Sequence, residues 1–208
     1  MDAILEAALH VLIEEGASAF TLRRIAEYSG SSIGNVSRHF PRKEMLVQVL
    51  LEELLAPNEG MVEQNIRQTG MSAEDALALI IGGSFDQMQT KATTHLYSEL
   101  WAMANHNEFV ADRVEEATRY AHDLTATFVA KLNPALSPAE VGAVSLFINA
   151  SIDGAIVLAG YGKPWNHMMP QMKAIAVKSL IHVAKTITPA EIRALPPVKG
   201  ALKKFQLR

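Results

Sequence analysis

The chain reads as all-α: an N-terminal three-helix helix-turn-helix domain followed by a larger helical domain, about nine helices in all. Three observations predict this. Beyond residue 46 apolar residues recur at helical spacing almost without interruption, and no stretch of strict two-residue alternation is long enough for a strand. The segment Thr21 to Leu46, TLRRIAEYSGSSIGNVSRHFPRKEML, reads as a short helix, a tight glycine turn and a second short helix. Helix-start signatures then punctuate the rest, at Ser72 with Asp75, at Ser137-Pro138-Ala139-Glu140 and at Thr188-Pro189-Ala190-Glu191.

The first helix, ILEAALHVLIEEG, sets Ile4, Ala8, Leu12 and Leu5, Leu9, Ile13 on one broad apolar stripe, and Gly16 stands where a helix end takes a left-handed residue. Thr21 caps the second helix, with Leu22, Ile25 and Ala26 inward. Gly30 supplies the positive φ of the turn. Ser32 caps the third helix, whose Ile33, Val36 and Phe40 are expected to turn inward while Asn35, Ser37, Arg38 and His39 face out. A fourth helix starts near Arg42, bends or restarts at Pro57 and ends at Thr69-Gly70. The fifth runs from Ser72 to roughly Lys91, HLYSELWAMAN forms a short sixth, Glu108 to about Leu132 a long seventh, and Ser137 opens the eighth. Lys163-Pro164 interrupts, the ninth spans about Met168 to Ile187, and a short turn follows Thr188.

The reading segment resembles the N-terminal domain of the TetR family of bacterial transcriptional regulators. The family pattern T-x-x-x-I-A-x-x-A-G-V-S-x-G-x-x-Y-x-H-F-x-x-K-x-x-L is matched in register by Thr21, Ile25, Ala26, Gly30, Ser32, Gly34, His39, Phe40, Lys43 and Leu46. Three positions depart: Ser29 replaces a small alanine, Ser31 the apolar turn residue, and Ser37 the usual phosphate-contacting tyrosine. The resemblance implies residues 1–46 as the DNA-binding domain, 47–195 as a ligand-binding and dimerisation domain, and 196–208 as a basic tail. It also implies a homodimer paired through the last two long helices, reading a palindromic operator in double-stranded DNA. Repression released by a small molecule is the default expectation; the alternative is a regulator or nucleoid factor without a chemical inducer, controlled by a protein partner.

Residue roles follow from that frame. Asn35 and Arg38 are suited to base edges, the first bidentate to adenine and the second to guanine. Thr21, Arg24, Ser37, His39 and Lys43 would hold phosphates, with the amides at Ser32, Ile33 and Gly34 assisting; Ile33 either meets a thymine methyl or completes the core. No basic arm precedes the first helix, so a minor-groove contact is not expected.

Composition narrows the alternatives. The 208 residues are 49% hydrophobic and 6% aromatic with net charge −3, so positive potential is local: Arg23, Arg24, Arg38, Arg42 and Lys43 cluster in the reading pair and its exit. A second basic group, Lys199, Lys203, Lys204 and Arg208, reads as a solvated end. Zero cysteines exclude disulfides, thiolate zinc sites and a cysteine nucleophile. Apolar runs such as ALALII and GAIVLAG are far shorter than a bilayer span, and the chain is expected to be cytoplasmic. No phosphate loop, H-E-x-x-H pair or dinucleotide fingerprint is present, and the G-x-S-x-G letters at Gly30 to Gly34 follow a helix rather than a strand. No enzyme, cofactor or metal is expected; His95 and Glu99, at i, i+4 on one face, together with His106 are the nearest approach to a metal site.

For the effector, Phe85, Met88, Tyr97, Trp101, Tyr120 and Phe128, with Met103 and Phe147, offer the surface of an adaptable and largely apolar pocket, or of plain core. The polar candidates are Asn149 and Asp153, spaced i, i+4 in a helix apolar nearly all round. A buried carboxylate there needs a cation, a helix end, solvent or a ligand.

Overall fold

The computed structural model describes residues 2–55 and 60–194, which form eleven α-helices and one 3₁₀ turn, with no strand among them. In chain order these are α1 (Asp2–Glu15), α2 (Leu22–Tyr28), α3 (Ile33–His39), α4 (Lys43–Leu55), α5 (Met61–Thr69), α6 (Ala73–Gln87), α7 (Lys91–Ala104), α8 (Glu108–Leu132), α9 (Pro138–Ala159), α10 (Met169–Thr186) and α11 (Pro189–Arg193). The 3₁₀ turn, Asn166–Met168, leads into α10. The two helices beyond the expected nine arise because the fourth is two separate helices and because the turn after Thr188 is helical. Pro57 and the basic tail lie outside the described residues.

The expected caps form. Ser137 and Thr188 each close a reciprocal capping box, with Glu140 and Glu191. Ser72 accepts from the Asp75 amide at 3.1 Å. One helix runs differently: the fifth expected helix stops at Gln87, because Thr90 caps a new one by accepting from the Thr93 amide, so α7 starts four residues earlier than HLYSELWAMAN suggests.

Two cores result. The first joins α1 to α4: Ile4, Ala8, Val11, Leu12, Phe20, Ile25, Val36, Phe40, Leu46 and Leu50 are buried together, and Leu100 of α7 with Val110 and Val114 of α8 close it from the side. In α1 the stripe is centred on Ala7, Ala8 and Val11, leaving Leu5, Leu9 and Ile13 at its margin. The second core packs α6, α8, α9 and α10 through Leu77, Ile81, Phe85, Phe128, Val129, Ile148, Ile156, Met169 and Leu180.

α9 reverses one expectation. Although each apolar run within it is short, the whole helix is long and apolar enough to cross a membrane by length and composition. It instead buries Val144, Ile148, Ile152, Ala155 and Ile156 against the protein. Its outer face shows Leu146, Phe147, Val157 and Leu158, and Ile175 of α10 is 67% exposed.

Candidate functional site

The reading pair is assembled by local chemistry. The Thr21 hydroxyl accepts from the Arg24 amide at 3.1 Å and the Ser32 hydroxyl from the Asn35 amide at 3.1 Å, each satisfying a donor that a helix start leaves orphaned. Between them Gly30 takes φ +65°, and the Ser31 amide donates to the Ala26 carbonyl at 3.0 Å. A side chain at residue 30 would be strained there by its own Cβ.

Val36 and Phe40 fix α3 to the first core, and this sets what the helix presents. Ser32, Gly34, Asn35, Arg38 and His39 are exposed, as are Thr21 and Lys43, while Ser37 is half-buried. Ile33 corrects the inward assignment: it is 50% exposed, because Val36 and Phe40 fill the inward stripe of a two-turn helix and Ile33 stands at its edge. Arg24 is committed elsewhere. Its guanidinium grips Glu15 of α1 through Nε and Nη2, both at 2.8 Å, and holds that carboxyl below the usual carboxylate range. Its charge is therefore already matched within the protein.

α7 binds the two halves together. The Ala17 amide, just beyond α1, donates to Glu99 Oε2 at 2.8 Å. His95 donates from Nδ1 to the Ile13 carbonyl at 2.7 Å, which requires the Nδ1-protonated tautomer or the imidazolium. Lys91 pairs with Glu14. The same helix reaches the C-terminal end of α9, where the Thr94 hydroxyl donates to the Met88 carbonyl and accepts from the Tyr161 amide, both at 2.9 Å. Sequence inspection placed His95 and Glu99 on one face but missed the clamp, since nothing local identifies the end of α1 as their partner. His122 of α8 meets the Gly142 carbonyl of α9 at 3.1 Å. The Asp123 carboxylate beside it, more than that carbonyl, raises its pKa.

The effector candidates divide. Phe85, Met88 and Phe128 are buried core residues. The Tyr120 hydroxyl accepts from the Gly60 amide at 2.7 Å, tying α8 to the start of α5. Asn149 accepts from the Thr125 hydroxyl at 3.0 Å, tying α9 to α8. Phe147 points away from the core, 53% exposed. Tyr97, Trp101 and Asp153 do come together. The Tyr97 and Trp101 rings lie 6.0 Å apart at 52°, and Asp153 stands near the Tyr97 hydroxyl. That hydroxyl is buried without a geometrically complete hydrogen bond. Burial, and then the Asp153 charge, push its pKa up. Burial likewise raises Asp153, and the tyrosine hydroxyl opposes this only partly. An open groove of about 890 Å³ runs elsewhere, between α6 and α10, and none of the effector candidates lines it. Its Lys173 and Lys185 are already bridged to Asp86 and Glu74.

Comparison with known proteins bears on this arrangement directly. Residues 4–50 match the model of bacterial regulatory proteins of the TetR family, and residues 73–181 match that of the C-terminal domain of BetI-type transcriptional repressors. The chain belongs to the TetR family. As a TetR-family protein it is a transcriptional regulator with a helix-turn-helix for DNA and not an enzyme; regulators of this family are typically dimers. It is 25% identical over 164 residues to the HTH-type transcriptional regulator BetI of Escherichia coli K12, covering 77% of this chain and 83% of BetI. Two solved structures share the fold at 18% identity. FadR from Bacillus subtilis, in complex with stearoyl-CoA, superposes with a TM-score of 0.66 over 89% of this chain and 97% of its own. A regulator from Saccharomonospora viridis, in complex with choline, gives 0.62 over 84% and 93%.

Proposed function

We propose that this TetR-family protein is a repressor that binds a palindromic operator as a homodimer and is released by a small molecule held in the larger domain. The observation that carries the DNA half is the outward set on α3. Asn35 and Arg38 are exposed on a helix whose inward side is locked by Val36 and Phe40, so two such helices can enter successive major grooves about 34 Å apart. Asn35 and Arg38 read base edges; Thr21, Ser37, His39 and Lys43 hold phosphates; and the exposed Ile33 meets a thymine methyl. Arg24 contributes through its grip on Glu15, which orients α2 against α1, more than through phosphate.

The dimer reading is supported by the apolar outer face of α9, where Leu146, Phe147, Val157 and Leu158 are each more than half exposed. A second copy related by a two-fold axis covers such a face with itself. The effector reading is supported by the two ligand-bound relatives of the same fold. Release needs a ligand that prefers one conformer, and α7 is the element through which it would act, because Tyr97 and Trp101 share that helix with the His95 and Glu99 clamp on α1.

Selection of genomic fragments by the purified protein tests this. Enrichment of a palindrome, bound with strong salt dependence by a dimer, is the expected result. A monomer that enriches no duplex at low ionic strength overturns it.

A further inference from the structure

His122 sits on the seam between α8 and α9 with an oxygen facing each of its ring nitrogens. Nδ1 lies 3.1 Å from Asp123 Oδ1, on the next residue of α8, and Nε2 lies 3.1 Å from the Gly142 carbonyl of α9. A carboxylate and a carbonyl can only accept. A neutral imidazole has one N–H, so it donates to one of these oxygens and turns a lone pair toward the other, whereas the imidazolium donates to both. The charged ring completes this contact and the neutral ring leaves it half made.

The surroundings make the ring's proton the deciding charge. A recess of about 400 Å³ opens here between the two helices, walled by apolar side chains that include Ala126, Ala130, Leu136 and Val141. Among the described residues its titratable lining groups are His122 and Asp123, and none comes from α6, α7 or α10. Arg119, one turn back on α8, is paired with Glu115, and Glu140 of α9 is held by Ser137 and by Arg193 of α11. Elsewhere on the seam Thr125 donates to Asn149 at 3.0 Å, a bond between neutral groups that keeps the helices joined whatever the state of the ring. We propose that His122 is a proton-operated latch between α8 and α9, closed as the imidazolium and loosened as the neutral ring. Asp123 raises the His122 pKa, with burial opposing it and the Gly142 carbonyl assisting. A histidine raised in this way contributes its full stability below the ordinary value of 6.5 and loses it as pH rises through the folded-state value, so acid closes the latch. α9 also carries the outer face assigned above to a second copy, so the dimer should tighten as the latch closes; that consequence alone rests on the dimer reading.

Titration of the full chain by NMR from about pH 5.5 to 8.5, spanning the histidine range, tests the latch. The His122 ring signals are assigned by their loss in His122→Gln, which keeps a donor for Gly142 but takes no charge. Their midpoint is expected above the ordinary histidine value and should fall in Asp123→Asn. In chemical denaturation over the same range, the margin of wild type over His122→Gln should be widest at the acid end and shrink as pH rises. Amide exchange around Gly142, corrected for its intrinsic pH dependence, should quicken above the midpoint in wild type and stay level in the variant. A midpoint at or below the ordinary value, or a stability margin that pH does not change, would overturn the latch. Should His122→Gln fail to fold, the wild-type midpoint and its fall in Asp123→Asn still decide. Sedimentation on the same samples separates the failures: a dimer of constant strength while His122 titrates as expected refutes the coupling, and a monomer at every pH refutes the dimer reading and spares the latch.

Discussion

Replacing Glu99 with alanine probes the joint between the reading head and the larger domain. The wild-type carboxylate accepts the Ala17 amide at 2.8 Å, directly after Gly16 turns the chain out of α1 with φ +82°. A hydrogen bond to a charged acceptor contributes about 1.5–3 kcal/mol where water is excluded. Glu99 is half-buried, so water replaces part of it, and a loss of about 1–2 kcal/mol is expected. For a chain of this size that lowers Tm by roughly 3–6 °C. Glu99→Gln keeps an acceptor without the charge and should lose about half as much. Thermal unfolding gives the magnitude, and amide exchange of α1 gives the place, since protection should fall at Ile13 to Ala17 more than in the second core. Operator affinity should change little while the response to effector is blunted, because α7 would slide without carrying α1. A stability change below about 0.5 kcal/mol, or exchange altered only in the second core, would refute the clamp.

Four further outcomes are expected. Gly160→Ala should destabilise by about 1–3 kcal/mol in chemical denaturation, since its Cβ would sit 2.5 Å from the Ile156 carbonyl and 2.7 Å from Thr94 Oγ1 in a buried corner. Asp153→Asn should stabilise the ligand-free protein near neutral pH. A carboxyl whose folded pKa is raised favours the fold below its unfolded value and loses that contribution as pH rises through the folded value, so the gap between variant and wild type in thermal unfolding should close on acidification. Arg38→Ala should cost about 1–3 kcal/mol and relax base choice, whereas Lys43→Ala should weaken all duplexes evenly and lower the salt slope by about one, both read by competition binding at several salt concentrations. Glu15→Ala leaves Arg24 with only its longer ion pair to Glu27, at 3.6 Å, so the guanidinium becomes more available to phosphate, and a modest gain in DNA affinity at low salt is the expected sign in the same assay.

The caps and the turn were legible because they are local. Ser32, Thr21 and Ser137 act on amides three residues away, and Gly30 needs only its own backbone. Ile33 was misplaced because a two-turn helix has too few positions for periodicity to define an inward arc sharply. Tyr120, Asn149 and Phe128 were credible ligand residues on composition, yet two of them spend their polar atoms on neighbouring helices and the third is core.

The linear chain by itself determined the helices, their caps and the polar face that follows Gly30, because each depends on residues within one or two turns. Only the tertiary structure decided which of several polar and aromatic side chains remain unsatisfied. The Tyr97 hydroxyl and the Asp153 carboxylate lie 56 positions apart in the numbering and meet only where α7 crosses α9, just as Glu99 finds Ala17 across 82. Long-range desolvation is a property of packing, and periodicity carries no record of which faces will meet.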